Sequence, residues 1–215
     1  MSAVDDLSPG KTWIGVAGWA FAAFLAIGVG LYGMSYLPTM GAHAPPGVRE
    51  NGAGLNALIA HATGAGLALL IGPFQFIDTI RRRAPTVHHW IGRTYVLACI
   101  VGGLAGAWLA PNTTAGPFAA VGFFLLAVAW LTTTTLAWRA AAVKHDYQAH
   151  KRWMVRSFAL TFAAVTLRLY LPLSFMAGID FTIGYPAIAW LCWVPNLIAA
   201  EVWLASRKLT PAVAT

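Results

Sequence analysis

The side chains able to do chemistry in this chain are few, and most sit inside apolar stretches. At 100° per residue, Ser157 and Thr161 each fall within about 20° of Arg168 on one helix face. His150 lies eighteen positions before Arg168, on the same line if that helix extends to it. His61 occupies an earlier apolar stretch, with Gln75 fourteen residues on, rotated by about 40°, and Asp78 near the end. The two stretches run in opposite directions, which sets His61 and Arg168 at similar depth. A neutral imidazole and a guanidinium can together bind an anionic or carbonyl-bearing ligand, such as a haem propionate, a quinone oxygen or a small acid. His61, Gln75 and Arg168 are therefore the candidate ligand-binding residues.

A second group gathers near basic loops: His88, His89, His145 and His150. Axial haem ligation takes two histidines from different helices, and His88 and His150 are the candidate pair. Arg93, Arg152 and Arg156 are candidates for anion or lipid-phosphate contacts at a membrane interface. No histidine pair has zinc spacing with a neighbouring Glu and no C-x-x-C is present, so no metal site is expected. Cys99 and Cys192 read as buried small hydrophobes. His43, in a loop, is given no role. No catalytic residue can be assigned, since the chain has no nucleophile–base pair and no phosphate loop.

The elements that position these groups follow from composition. Of 215 residues, 59% are hydrophobic and only 10% charged, against about 25% charged in an average soluble domain. Too little charge remains to cover a water-exposed surface. A soluble enzyme, a disordered chain and a nucleic-acid-binding module are excluded, and the net charge of +7 is read as an orientation signal. Six stretches are long enough to cross a bilayer, at roughly 13–35, 55–80, 91–110, 116–138, 154–175 and 184–205. They are continuous, unlike the alternating ten-residue strands of a barrel. The expected fold is a single all-α domain, 1–215, of six transmembrane helices. Pro38, Pro45, Pro46 and Gly47 mark the first loop. Asp5 and Asp6 precede the first stretch where a signal peptide would be basic, so that stretch is expected to be retained.

Arg81, Arg82 and Arg83 fill the second loop, Arg139, Lys144, Lys151 and Arg152 surround the fourth, and Arg207 and Lys208 follow the last span. Arg49 is the one basic residue in the other loops. Both termini and both basic loops are therefore expected in the cytoplasm. Trp13, Trp90, Trp108, Trp138 and Trp153 fall near predicted helix ends, as an aromatic belt would. Pro73 is expected to kink the second span, and Thr132 to Thr135 to bond back onto their own helix. Asn196 and Glu201 need no function to explain them. His88-His89-Trp90-Ile91-Gly92-Arg93 and Lys151-Arg152-Trp153-Met154-Val155-Arg156 echo one another at the starts of the third and fifth spans.

Three strings carry a resemblance. Gly72-Pro73-Phe74-Gln75-Phe76, His88 with Gly92-Arg93-x-Tyr95, and His150-x-x-Trp153-Met154-x-Arg156-Ser157 followed by Leu167-Arg168-Leu169 resemble the bacterial membrane-protein family known as domain of unknown function 2306, over about residues 57–175. Its three histidines fall on His61, His88 and His150, while its usual His-Arg-Trp reads His88-His89-Trp90 here. The resemblance implies a multi-pass protein of the bacterial inner membrane and supports the choice of residues, without naming a reaction. Three functions fit the residues: a membrane redox protein or subunit binding haem b or quinone among the second to fifth spans, a small-molecule transporter, or an accessory subunit assembling with a larger membrane complex. The lipid bilayer is the one partner all three share, and nucleic acid is a partner of none.

Overall fold

The computed structural model describes residues 13–42, 44 and 52–208. Asp5, Asp6, His43, Pro45, Pro46, Gly47 and Arg49, and the side chains of Trp13 and Lys208, lie outside what is described. The helices are α1 (Trp13–Met34), α2 (Gly52–Ile71), α3 (Asp78–Arg83), α4 (Pro85–Leu109), α5 (Pro117–Ala142), α6 (Tyr147–Thr161), α7 (Ala163–Met176), α8 (Phe181–Leu191) and α9 (Val194–Lys208). Among the described residues there is no strand, and six helical segments are long and apolar enough to cross a membrane.

Every span found from the sequence is present, but several ends move. The third starts at Pro85 rather than 91, and the fifth at Tyr147 rather than 154. Apolarity marks where a helix meets lipid; capping marks where it begins. Pro85 and Pro117 open α4 and α5, where a missing N–H costs nothing. Asp146 caps α6 by accepting the Ala149 N–H at 2.9 Å. Asp180 caps α8 by accepting the Thr182 N–H at 2.8 Å, and hydrogen bonds from the Thr182 hydroxyl and from this N–H hold its carboxyl below the usual range. His88 and His150 consequently stand on helices. The second span is more than kinked: Gly72–Phe76 forms a 3-10 stretch around Pro73, and α3 restarts after it. In the fifth span Phe162 separates α6 from α7. There Thr161 donates its hydroxyl to the Ser157 carbonyl at 2.8 Å, a back-bond that bends helices.

Lipid supplies no hydrophobic drive between helices, so close backbone approach matters. Glycines provide it. The position of a Cβ on Gly66 is 2.7 Å from the Gly30 carbonyl oxygen, and that of Gly64 is 2.8 Å from the Ala98 oxygen. Span two is thereby clasped between spans one and three. The fifth span is central, with α6 against α5, α9 and α2, and α7 against α1 and α8. Its polar face dictates this, because Ser157 and Thr161, at 0% and 3% exposure, must be enclosed by neighbours that can bond them.

Candidate functional site

Three polar assemblies lie along the central span. At the basic end is a cavity of about 680 Å³. Gln75 and Phe76 of the 3-10 stretch form one side, His88, His89 and Arg93 of α4 another, and His150, Lys151 and Met154 of α6 a third. His145 enters from the turn between α5 and α6, in a left-handed conformation of φ 53°. His150 donates Nδ1–H to the Ala137 carbonyl at 2.9 Å. A carbonyl only accepts, so the tautomer is fixed and Nε2 carries a lone pair. His88 keeps a buried Nδ1 without a hydrogen-bond partner, while its carbonyl accepts Gln75 Nε2 at 3.4 Å. Arg81, Arg82, Arg93 and Lys151 give the walls a positive balance against Asp78, which pairs with Arg81 at 2.7 Å. No three of the described His, Cys, Asp and Glu groups converge closely enough to hold a metal ion. The four histidines are thus spread around a volume of molecular size.

Near the other end, His61 donates Nδ1–H to the Gly102 carbonyl at 2.8 Å. Its ring fills the place of a Gly106 side chain, with Nδ1 2.9 Å from where that Cβ would be. Arg168 lies within electrostatic range of His61 and of Tyr32, Tyr36 and Tyr185.

Between these ends is a buried hydroxyl network whose proton directions can be deduced. Trp130 Nε1–H can only donate, and does so to Thr161 Oγ1 at 2.8 Å. Thr161 spends its own proton on the Ser157 carbonyl. Tyr95, 2.9 Å from Thr161, must then donate to it. Ser157, 2.9 Å from Tyr95, must donate to Tyr95, and Thr134, 2.7 Å from Ser157, must donate to Ser157. Every proton is used and the chain ends on a carbonyl. The arrangement is a lock joining spans three, four and five.

The family model described as "Predicted membrane protein (DUF2306)" matches residues 58–204, more than half of the chain. The chain belongs to this family. No curated protein and no solved structure matches it. The family match contains the cavity, the hydroxyl network, His61 and Arg168, and leaves out the first span with Tyr32 and Tyr36. It reaches about a span further than the sequence strings did.

The structure brings His88 and His150 onto one cavity, and sets His61 and Arg168 near one another. It separates Gln75 from them. Fourteen residues of helix take Gln75 about 21 Å along the span, and it lies against Gly92 at the cavity instead. His61 also differs from expectation in its chemistry. Its proton is spent on Gly102, so the remaining nitrogen accepts and cannot donate to an oxyanion beside Arg168. Of the interface arginines, Arg93 is exposed and stacks over Trp90 at 5.2 Å. Arg156 stacks over Trp153 at 4.6 Å and clamps Glu201 with both arms, Nη2 to Oε2 at 2.8 Å. The two echoing strings therefore form the same Trp–Arg pair, three residues apart on the helix. Arg152 receives a long 3.5 Å bond from Arg156 on its carbonyl. The sequence did not single out Tyr95, Trp130 and Thr134 as partners. Tyr95 stood in a quoted string and Thr134 in a threonine run, but only the packing of three spans joins them.

Proposed function

We propose that the protein holds a redox cofactor in the basic-end cavity, haem b in the first instance and a quinone as the alternative occupant, with that end in the cytoplasm. The observation that carries this reading is the sharing of one cavity of about 680 Å³ by His88 and His150, which belong to different spans. Ligand pockets of this size usually combine apolar walls with a few convergent polar groups. Phe76, Val96, Trp138 and Met154 supply the apolar walls. A histidine that binds iron through one nitrogen normally donates its other N–H to a carbonyl or carboxylate, as His150 does to Ala137. The arginines and Lys151 suit carboxylates such as propionates. The positive-inside rule supports the orientation.

The test is an absorption spectrum of the purified protein, oxidised and dithionite-reduced, before and after titration with haemin. A Soret band at about one haem per chain is expected. His150→Ala and His88→Ala each abolish it, whereas His61→Ala, at the other end of the bundle, leaves it intact. A Soret band that survives both cavity substitutions removes His88 and His150 as ligands. If no band forms, solvent extraction of the membrane-purified protein decides for or against quinone, and absence of both overturns the reading.

A further inference from the structure

Arg168 carries a permanent charge, and no carboxylate pairs with it among the described residues. Its Nη1 donates to the Ala164 carbonyl at 3.0 Å, and its guanidinium lies 5.2 Å from the centre of the Tyr32 ring. The bond to Ala164 points one turn back toward the middle of the span. Met176, where the helix ends, is eight residues away in the other direction, or about 12 Å. An arginine relieved by snorkelling extends toward the interface; this one curls back along its own helix, onto the Ala164 carbonyl. The described titratable groups within electrostatic range of it are neutral ones, His61 and three tyrosines. His61 presents a lone pair. Tyr36, beyond the end of α1, has its phenol pushed up to about 12 by burial and keeps its proton at neutral pH. One carbonyl and one ring face leave most of the five-donor fork unused. A guanidinium at such depth persists when something compensates it.

We propose that Arg168 is the centre of a second binding site, which takes the carboxylate of an organic acid on its free donors, next to Tyr32 and Tyr185. It is independent of the basic-end cavity and of whatever occupies that cavity. The carboxylate has two sources, a soluble small acid or an acyl chain entering from the bilayer. His61, an acceptor within electrostatic range of this charge, is a positioning residue that favours acids bearing a hydroxyl over those without one.

The experiment uses the full chain in nanodiscs of phosphatidylcholine, which has no net charge. Melting is followed by tryptophan fluorescence during titration with decanoate, acetate, lactate and decanol. Carboxylates are expected to raise the melting temperature, and decanol to leave it unchanged. Stabilisation by decanoate alone assigns the acyl source; stabilisation by acetate and lactate as well assigns the soluble one. Arg168→Gln should weaken the apparent affinity at least tenfold, with Arg168→Lys in between. Equal affinity in Arg168→Gln and wild type overturns the proposal. So does a wild-type melting temperature that responds to none of the acids, or equally to decanol, and this arm holds even if Arg168→Gln fails to fold.

Discussion

Gly64→Val is expected to break the clasp between the second and third spans and to abolish the folded monomer. A Cβ at residue 64 would lie 2.8 Å from both the Ala98 carbonyl oxygen and the Gly102 nitrogen. Both are backbone atoms, so no side chain can rotate away, and the helices must part. Overpacking a close-packed site costs about 1–3 kcal/mol and occasionally more; with two backbone collisions the upper end or beyond applies. Gly102 also supplies the carbonyl that orients His61, so loss of register here disturbs the Arg168 end as well. Gly18→Val and Gly28→Val are the controls, because nothing stands within 4 Å of their added Cβ. Size-exclusion profiles and thermal melts in detergent check the result. A Gly64→Val protein that melts with the Gly18→Val control would show that the second and third spans do not cross as closely as described.

The second large effect is an order of severity within the hydroxyl network. Thr161→Val keeps the side-chain volume but removes the acceptor of two buried donors, Tyr95 O–H and Trp130 N–H. Each orphaned donor costs about 1–3 kcal/mol, so a loss of about 2–6 kcal/mol is expected. Tyr95→Phe strands one donor, on Ser157, and should cost roughly half as much. Thr134→Val takes away only a donor and leaves a lone pair on Ser157 unfilled. Its cost should stay below about 1 kcal/mol, near the average for interhelical hydrogen bonds in membranes. Unfolding in increasing SDS measures all three. The deduced proton directions require Thr161→Val to be the worst and Thr134→Val the mildest; the reverse order would mean the protons run the other way.

The helix ends show where sequence reasoning stopped. The spans were legible because bilayer crossing demands about twenty apolar residues whatever the neighbours are. The starts at Pro85 and Tyr147 were not, because a helix continues into water where its first turn is opened by a proline, as at Pro85, or capped, as by Asp146 before Tyr147. Those extra turns bring His88 and His150 onto the walls of the cavity. The stripe of His150, Ser157, Thr161 and Arg168 was legible from periodicity, since 100° per residue fixes which residues share a face. Arg168 was singled out for its charge alone, which no apolar segment tolerates without cause.

The sequence by itself determined the six-helix membrane fold, the polar face of the fifth span and the family. Those follow from short-range rules: apolar length, helical period and local motif. Only tertiary structure decided that Gln75 belongs with His88 rather than His61, that His61 presents an acceptor, and that Tyr95, Trp130 and Thr134 close a lock on Ser157 and Thr161. Each depends on which spans touch and at what height. Glycines at helix crossings set that height, and their meaning appears only when the second backbone is in place.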